Sequence, residues 1–548
     1  MSSEDPPEEE RQLTPAERAG ATHLDPDLFR MTAAQSAARA AAAGPQPQAQ
    51  GSSEVAAVRR PARRRHSSRS SERSRARSSQ PWLITAGCAA VLSFLLAATG
   101  YSLQEDTPVA DGPTAPLVLA TNLLSARRVA EVVVRPVAAR NLDASLKPIL
   151  ANAPADTCVQ VRDSNNAVFS SNESKPLLPA SNMKLLVAAA ALKLLDPNSR
   201  LTTRFATDGK PTDGSTVQGN LYMIGAGDPV LSTASFAARP DRVGQAYTDL
   251  DKAADQIYDS GIRTITGSVV GDASRYDDLR SASSWPDRYI TQGQVAPLSA
   301  LLVNDGTDAS GAVVKDPTVH AAAVLTELLR SRGVKIQSDP KSAMVPKSAH
   351  ELTQIESPTV GELVTEALRF SDNTTTEMLV KELGLSAGGA GSTAAGVEVL
   401  QKWLASSGLP AEGVSFDDGS GLSPNDRVTC ALFSSLLAAD GSSGSIANSL
   451  AVPGEHGTLD DRFLAEPLRS SLRAKTGTLL QVTSLSGWLT TTSKRDLDFS
   501  VLINTGNRNV TASDLTTQRE VLQALLKYPE APALESLVPL PAVPPQGS

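Results

Sequence analysis

The sequence predicts an α/β fold that carries a β-rich inserted domain and is preceded by one N-terminal transmembrane helix. Three observations favour this organisation. Helix-like and strand-like patterns alternate over residues 141–198 and 359–528, and residues 82–101 carry no charge. Residues 199–358 are mainly short strand-like runs between Gly, Asp and Pro turns, interrupted by two helical patterns near residues 247–258 and 320–330. Since apolar periodicity distinguishes helices from strands, the change of pattern marks the limits of the insertion.

A basic segment lies within residues 1–81, which are rich in Ala, Pro, Ser, Gln, Glu and Arg and are predicted to be a disordered cytoplasmic tail. Residues 59–77 contain nine arginines and a single acid, Glu72. The formal net charge of the whole chain is −8, so the remainder is acidic. An acidic globular part argues against nucleic acid as a partner, and nucleic-acid binding by the tail is the less favoured alternative.

Residues 82–101 (WLITAGCAAVLSFLLAATGY) are predicted to be the transmembrane helix. The stretch is long enough to span a hydrocarbon core, and Trp82 and Tyr101 stand at its two ends, where interfacial aromatics are enriched. The arginines before it predict a single-pass protein of the cytoplasmic membrane, with the N-terminus inside and the catalytic domain extracytoplasmic. A cleaved signal peptide is the alternative, which the long leader disfavours. Residues 102–140 are expected to be a linker.

One globular domain is predicted from residues 141–198 and 359–528, with residues 529–548 as a loose Pro-rich tail. Apolar spacing, turn residues and helix caps define its elements. They are a β-hairpin, a helix ended by Pro197, a helix with a Thr359/Glu362 capping box, a closing pair of strands and a final helix, over residues 157–169, 181–195, 360–370, 484–504 and 514–528.

The first candidate site is Ser181-Asn182-Met183-Lys184, at the start of a predicted helix. Positions i and i+3 share one helix face, so the Ser181 hydroxyl and the Lys184 amine can meet. The residues that follow are apolar on every side, which is typical of a buried helix. Burial lowers the pKa of a lysine, and a neutral amine beside a serine is a general base beside a nucleophile. The alternative is a lysine that only reaches the surface.

The second candidate site is Ser371-Asp372-Asn373, between helical patterns over residues 360–370 and 374–383. We expect the second helix to end at Gly384, because glycine commonly ends helices. A short polar loop at this place can direct a hydroxyl and an amide into a cleft. An ordinary helix cap and turn is the alternative.

The third candidate site is Lys475-Thr476-Gly477-Thr478, in a strand-like run before the closing hairpin. Gly477 has no side chain, which allows another backbone to approach closely. Lys475 and the two threonines supply a cation and two hydroxyls, a set suited to a carboxylate. The alternative is the end of a surface strand.

Together, the three sites occur in the order Ser-x-x-Lys, Ser-x-Asn, Lys-Thr-Gly, the motif set of penicillin-recognising serine enzymes. Four other segments resemble the low-molecular-mass class C penicillin-binding proteins. They are residues 179–184 (PASNMK), 225–229 (GAGDP), 418–423 (DGSGLS) and 457–459 (GTL). The resemblance extends over residues 140–528 and implies a D-alanyl-D-alanine carboxypeptidase/endopeptidase. It also implies a penicillin-binding-protein transpeptidase-like (β-lactamase-like) fold, with a five-stranded antiparallel sheet, flanking helices, a helical lobe and the β-rich inserted domain.

The resemblance implies three catalytic residues. Ser181 would attack the carbonyl between the two terminal D-alanines of a peptidoglycan stem peptide, and Lys184 would take its proton. Ser371 would pass a proton to the leaving nitrogen. Water would then hydrolyse the acyl-enzyme. β-Lactam antibiotics would acylate the same serine and act as inhibitors.

The substrate-binding residues implied by the resemblance are Asn373, Lys475, Thr476, Gly477 and Thr478. Asn373 would hydrogen-bond the peptide backbone of the donor strand. Lys475, Thr476 and Thr478 would hold the terminal carboxylate. The backbone N–H groups of the nucleophile and of Thr478 would form the oxyanion hole.

The three cysteines and five histidines have no metal-binding spacing, so neither a metal nor another cofactor is expected. Cys158 and Cys430 both fall on the predicted outer side of the membrane, where disulfides persist. They either pair with each other or remain two small buried thiols. Cys88 lies in the predicted transmembrane helix and cannot join them.

Three other classes of protein agree less well with the sequence. A β-lactamase has the same three motifs, but the insertion and the absence of a Glu-x-x-Leu-Asn pattern between the first two disfavour the compact class A enzymes. A non-catalytic cell-wall binding protein is disfavoured by the intact Ser181 and Lys184. A Ser-His-Asp hydrolase is disfavoured because the chain has no Gly-x-Ser-x-Gly segment.

Overall fold

A computed structural model of the chain describes residues 131–530. The predicted cytoplasmic tail, the predicted transmembrane helix and most of the predicted linker lie outside the described residues, as does the C-terminal tail beyond residue 530. Among the described residues, no helix has the length and apolar character needed to cross a membrane.

The secondary structure is as follows. The helices are α1 (Glu131–Ala151), α2 (Lys184–Leu194), α3 (Ala234–Ala237), α4 (Leu250–Asp259), α5 (Arg288–Thr291), α6 (Pro317–Ser331), α7 (Val360–Arg369), α8 (Asn373–Gly388), α9 (Thr393–Ser406), α10 (Cys430–Asp440), α11 (Ser445–Ser449), α12 (Leu468–Ser471) and α13 (Ala512–Leu525). The strands are β1 (Asp156–Asp163), β2 (Asn166–Ser171), β3 (Arg200–Thr207), β4 (Thr216–Val217), β5 (Leu221–Ile224), β6 (Leu231–Ser232), β7 (Thr248–Asp249), β8 (Thr264–Ile265), β9 (Val269–Asp272), β10 (Lys335–Ile336), β11 (Lys341–Ser342), β12 (His350–Thr359), β13 (Leu472–Leu479), β14 (Val482–Thr490) and β15 (Asp496–Asn504).

The central sheet has five antiparallel strands in the order β13-β14-β15-β1-β2, which confirms the expected sheet. Successive side chains of a strand point to opposite faces. Val159 therefore packs in the apolar cluster that contains α1 and α13, whereas Cys158 packs in the cluster that contains α2 and α10. A disulfide joins Cys158 to Cys430. Of the two alternatives for this pair, a disulfide or two buried thiols, the structure has the disulfide.

The predicted linker over residues 102–140 is too long. Helix α1 begins at Glu131, and its Leu142 and Leu146 are buried in the cluster on one face of the sheet. Pro136 and Pro148 lie inside this helix, and a proline removes a helical hydrogen bond. The helix forms despite both prolines because its apolar side chains pack against the sheet.

The helical lobe contains α8, which does not end at Gly384 as expected but continues to Gly388. Gly384 instead allows close packing inside the helix. A Cβ at this position would lie 2.7 Å from the Ala390 carbonyl oxygen and 2.7 Å from the Gly396 nitrogen. The glycine marks the approach of α9, rather than a helix end.

The inserted domain is bounded by β3 and β12, which pair with each other antiparallel. Its larger sheet has the order β11-β9-β5-β3-β12, and the β5/β9 and β9/β11 pairs are parallel. Parallel strands need crossover connections, which are usually helical. Helices α4 and α6 lie at the two helical patterns expected near residues 247–258 and 320–330 and share the core of this domain, so the β-rich insertion is a mixed α/β domain.

Candidate active site

Ser181 lies in a single 3-10 turn, Ala180–Met183, that leads directly into α2. Ala180 has a φ of 47°, a left-handed conformation that is unusual for a residue with a Cβ. The turn is held against the sheet because Asn182 Nδ2 donates to Ser486 Oγ at 2.7 Å. Gly421 supports it from the helical lobe, since a Cβ there would lie 1.9 Å from the Ala180 carbonyl oxygen. The predicted helix start is thus a tight turn that presents the serine.

Lys184 is the first residue of α2 and is buried. Its Nζ donates to Ser181 Oγ at 3.0 Å, to Asn373 Oδ1 at 2.6 Å and to the Ser420 carbonyl oxygen at 2.8 Å. Burial lowers the pKa of Lys184 to about 8, although the nearby Asp418 and other carboxyls oppose the change. An amine with this pKa is partly neutral near pH 7 and can accept the proton of the serine hydroxyl.

The second motif forms the loop between α7 and α8. Ser371 has a φ of 58°, and its Oγ accepts a hydrogen bond from Lys475 Nζ at 2.8 Å. Asp372 caps α8 by accepting from the Thr375 N–H. Asn373 Nδ2 donates to the carbonyl oxygen of Gln294, a residue of the inserted domain, at 2.7 Å. Asp372 is therefore a helix cap. The residues on either side of it form hydrogen bonds with the two lysines, Asn373 with Lys184 and Ser371 with Lys475.

The third motif lies on β13, which is an edge strand of the central sheet. Lys475 is buried, and its Nζ also donates to the Thr476 carbonyl oxygen at 2.7 Å. Burial, together with the charge of Lys184, holds the pKa of Lys475 well below its usual value. A Cβ on Gly477 would lie 2.9 Å from the Ser181 nitrogen, so the glycine allows β13 to reach the nucleophile. Thr478 is half-buried at the same edge.

The structure thus brings the three motifs together. Ser181, Lys184 and Asn373 form one hydrogen-bonded group, and Ser371 and Lys475 form a second. Cys158 and Cys430 contribute to the fold only, within the apolar core. Over residues 131–530, no group of three His, Cys, Asp or Glu side chains is placed to hold a metal ion.

Glu377 is a buried residue of this region that sequence reasoning missed. Its Oε1 accepts from the N–H groups of Gly419 at 3.0 Å and Ser420 at 2.7 Å, and so it holds the segment whose carbonyl binds Lys184. Burial and the neighbouring Asp418 raise the pKa of Glu377 to about 7. It lies one helical turn after Asn373, but nothing in the sequence indicates its contact with a segment about forty residues away.

Asp418 is a second buried residue whose contacts the sequence did not indicate. It is the first residue of the DGSGLS segment. Its carboxylate accepts from the N–H groups of Gly421 at 2.8 Å and Ser423 at 2.7 Å, and from Trp285 Nε1 at 2.7 Å. The first two bonds close the loop around Ser420. The third joins that loop to the inserted domain. The sequence had indicated this segment through the family resemblance alone.

Comparison with known proteins agrees with this geometry. The sequence profile of the D-Ala-D-Ala carboxypeptidase 3 (S13) family matches residues 138–310 and 308–527. A D-alanyl-D-alanine carboxypeptidase from Actinomadura sp. (strain R39) is 28% identical over 471 residues, covering 71% of this chain and 84% of the relative. A carboxypeptidase from Mycobacterium tuberculosis is 30% identical over 350 residues, covering 61% of this chain and 72% of the relative.

Among solved structures, penicillin binding protein 4 from Haemophilus influenzae is similar to this chain with a TM-score of 0.60 at 20% identity. The similarity covers 70% of this chain and 99% of that one, so the two share a fold. The profile match extends over more than half of the chain and includes all three motifs. The chain belongs to the D-Ala-D-Ala carboxypeptidase 3 (S13) family, in agreement with its resemblance to the low-molecular-mass class C penicillin-binding proteins.

Proposed function

We propose that this protein is a serine D-Ala-D-Ala carboxypeptidase/endopeptidase that cleaves the D-alanyl termini or cross-links of peptidoglycan stem peptides. The observation that carries the proposal is the 3.0 Å hydrogen bond between Lys184 Nζ and Ser181 Oγ. The amine is buried and its pKa is lowered to about 8, as a general base near neutral pH requires. Family membership supports the same reaction.

In the proposed mechanism, Ser181 Oγ attacks the carbonyl carbon of the penultimate D-alanine while Lys184 accepts the hydroxyl proton. The tetrahedral intermediate collapses and the C–N bond breaks as the Ser371 hydroxyl protonates the leaving nitrogen, and the proton that Lys184 accepted returns to Ser371 Oγ, so that Lys184 is neutral again. Lys475 donates to the Ser371 oxygen at 2.8 Å and orients that hydroxyl. Water then attacks the ester while Lys184 accepts its proton, and Lys184 passes this proton to Ser181 Oγ as the bond between the acyl carbon and Oγ breaks.

Substrate is proposed to add along the outer side of β13, because an edge strand offers unpaired backbone groups. The N–H groups of Ser181 and Thr478 are proposed as the oxyanion hole, and the close approach of Gly477 to the Ser181 nitrogen supports this. Lys475, with the hydroxyls of Thr476 and Thr478, is the proposed site of the terminal carboxylate.

Asn373 is proposed to contact the donor peptide while keeping its bonds within the protein. Its Oδ1 accepts from Lys184 and its Nδ2 donates to Gln294. An amide nitrogen carries two hydrogens, so one remains for a substrate carbonyl. The contact with peptide therefore does not require Asn373 to release Lys184.

We also propose that the protein is anchored in the cytoplasmic membrane by residues 82–101, with residues 102–548 outside. The uncharged stretch and the arginines before it support this orientation. The Cys158–Cys430 disulfide supports an oxidising compartment for the catalytic domain. Cysteine-accessibility labelling in intact cells tests the orientation, because a reporter at residue 540 should react from outside and one at residue 50 should not.

Labelling the purified full chain with a fluorescent penicillin tests the reaction. We expect a stable adduct that mass spectrometry maps to Ser181, and no adduct on Ser181→Ala. Ser164→Ala, in the β1/β2 turn, is the matched control and should label normally. Rapid turnover of the penicillin without an adduct would favour a β-lactamase, and a folded protein that never becomes acylated would contradict the enzyme assignment.

A further inference from the structure

The Lys184 amine donates to three oxygens, and their chemistry decides which way its lone pair can point. The oxygens are Ser181 Oγ at 3.0 Å, Asn373 Oδ1 at 2.6 Å and the Ser420 carbonyl oxygen at 2.8 Å. A neutral amine has two N–H groups and one lone pair. The amide and carbonyl oxygens can only accept, so they take the two N–H groups and leave the lone pair for the Ser181 hydroxyl.

Both acceptors are themselves held in place. The Asn373 side chain is fixed through Nδ2, which donates to the backbone carbonyl oxygen of Gln294 at 2.7 Å. The Ser420 carbonyl is fixed through its own segment, because the N–H groups of Gly419 and Ser420 donate to Glu377 Oε1 at 3.0 Å and 2.7 Å. Gln294 acts through its backbone, whereas Glu377 acts through its side chain and can be tested by substitution.

Asp418 holds the same segment, but it cannot be replaced as cleanly. Its Oδ1 accepts from the Gly421 N–H, and its Oδ2 accepts from the Ser423 N–H and Trp285 Nε1, so an amide would turn its NH2 towards a donor in either orientation. Glu377 differs, since both of its bonds use Oε1 and Oε2 makes none within the described part of the chain. A glutamine can keep both bonds and lose only the charge.

Glu377 also places a negative charge near the base. Its side chain is buried, and its charge, after that of Asp418, raises the pKa of Lys184 against the larger opposite effect of burial. Burial and the charge of Asp418 raise the pKa of Glu377 to about 7, so it is ionised in the pH range in which Lys184 becomes neutral. Lys184 turns into an ammonium as it takes the serine proton, and a fixed buried negative charge stabilises that product.

We propose that Glu377 is a positioning residue of the acylation step and contributes to it in two ways. Its hydrogen bonds to the loop direct the lone pair of Lys184 towards Ser181, and its charge stabilises the ammonium that forms on Lys184. The inference rests on the proposed function. The proton moves from Ser181 Oγ to Lys184 Nζ and onwards as already described, and Glu377 neither accepts nor donates it.

A neighbouring carboxyl provides a matched control for the charge. Burial and the charge of Asp418 raise the pKa of Asp426 to about 10, so Asp426 is protonated at neutral pH. Asp426→Asn therefore exchanges one neutral buried group for another, whereas Glu377→Gln removes a charge. The other titratable groups that act on this site are Asp418 in the loop, Lys184 in α2, Asp372 at the start of α8 and Lys475 in β13.

The test is the pH profile of Ser181 acylation by a chromogenic β-lactam, measured by stopped flow on the full-length protein. Below about pH 6 the Glu377→Gln variant should match the wild type within about twofold, because Glu377 is then protonated in the wild type as well. At about pH 7–8 it should be as fast or faster, since its Lys184 becomes neutral at lower pH. Above about pH 9, where the amine is neutral in both proteins, it should be about three- to tenfold slower.

Two further variants separate the hydrogen bonds from the charge. Glu377→Ala removes both, so it should be slower than the wild type at every pH, by at least about fivefold at pH 6, the scale of a lost hydrogen bond to a buried group. The difference between Glu377→Ala and Glu377→Gln at that pH measures the positioning through the loop. Asp426→Asn should follow the wild type up to about pH 9.

The wild type offers a test that needs no substitution. Because Glu377 gains its charge near pH 7 and thereby raises the pKa of Lys184, the rate constant should rise by less than about tenfold per pH unit there.

Four results would overturn the role of Glu377. They are an equal loss in Glu377→Gln at every pH, a Glu377→Gln profile identical to the wild type, equal rates of the Ala and Gln variants at low pH, and a wild-type profile that rises by the full tenfold per unit through pH 7. A folded wild type that is never acylated on Ser181 would instead contradict the proposed function.

Discussion

Two lysine amines approach the same cleft, and each is buried. Lys184 bonds Ser181 and Lys475 bonds Ser371, so each hydroxyl has its own amine. The charge of one amine disfavours the charge of the other, which contributes to the lowered pKa of Lys475. Carboxyls near Lys184, the largest influence being Asp418, partly offset the effect of its burial. The environment thus favours the neutral form of both amines, Lys184 beside the nucleophile and Lys475 beside the Ser371 hydroxyl.

The lowered pKa of Lys184 predicts the pH dependence of acylation. Since the neutral amine is the active form, the rate constant should rise about tenfold per pH unit at low pH and level off above the pKa. That pKa is about 8. Stopped-flow acylation by a chromogenic β-lactam measures the profile. Lys184→Ala should be slower by roughly 10²- to 10⁴-fold and should lose this ionisation.

The control for that profile is Lys184→Arg, which keeps the positive charge but cannot release a proton near neutral pH. It should be as slow as Lys184→Ala. A profile that stays flat in the wild type, or one that Lys184→Arg retains, would show that another group is the base.

At the scale of elements, the inserted domain holds the α7/α8 loop through hydrogen bonds. Gln294 accepts from Asn373, and the Ala296 N–H donates to Thr374 Oγ1 at 2.9 Å. On another side, Arg242 forms a buried ion pair with Asp305, and it also faces the carboxyls of Asp372 and Glu366. The insertion is therefore part of the support of the second motif.

Removal of this cation should disturb the second motif. Arg242→Ala leaves three carboxyls facing one another in a poorly solvated place, so we expect the acylation rate constant to fall and the free energy of unfolding to drop by about 3 kcal/mol. Burial raises the pKa of Glu366 to about 8 and also raises the pKa of Asp372, while Arg242 opposes both changes, so both pKa values rise further in its absence. Glu366 in the variant therefore takes up its proton above pH 8, and the ratio of variant to wild-type rate should rise as the pH falls from about 10 to about 8.

Arg239→Ala is the matched control for Arg242→Ala. Arg239 lies on the same loop and also stacks on Phe236, with 5.0 Å to the ring centroid compared with 4.7 Å for Arg242. Its ion pair is with Asp241, away from the motif. Equal effects of the two substitutions on the rate, or a variant-to-wild-type ratio independent of pH, would remove the case for Arg242 as a positioning residue.

Sequence reasoning succeeded for elements that are determined by neighbouring residues. It failed for features that are determined by contacts between distant parts of the chain. The capping box of Thr359 and Glu362 and the β1/β2 hairpin follow from neighbouring residues, and the structure has both. Gly384 was interpreted as a helix end, because the backbone of α9 that requires it cannot be located from the sequence. Gln294 and Glu377 reach the site through folding alone, so no local pattern indicated them.

For the whole molecule, the family resemblance implied the five-stranded sheet, which the structure has, and indicated the site residues that the structure brings together. The parallel pairing inside the insertion was not predicted, because strands of two to four residues carry too little alternation of apolar and polar side chains to show it. The disulfide stayed open as well, since spacing alone does not decide whether two cysteines meet. The bond joins β1 in the central sheet to α10 in the helical lobe.

Loss of this disulfide should affect stability far more than chemistry. The bonded cysteines are 272 residues apart, and closing a long loop restricts the unfolded chain. The double variant Cys158→Ala/Cys430→Ala should lose about 2–5 kcal/mol in the free energy of unfolding, measured by urea denaturation. Acylation at 25 °C should remain within about twofold of the wild type, because both cysteines lie in the core and not in the site. A reductant should destabilise the wild type and leave the double variant unchanged.

The pairing of β1 with β15 bears on how the enzyme is made. β1 cannot form its pair with β15 until β15 has been made. Ser181 follows β1 and β2 in the chain, whereas Lys475 lies on β13, shortly before β15. A growing chain therefore has no active site before β13 has been made and no complete sheet before β15 has been made. Products truncated before β13 would be inert towards the cell wall, and penicillin labelling would count only chains that extend beyond β15 and have folded.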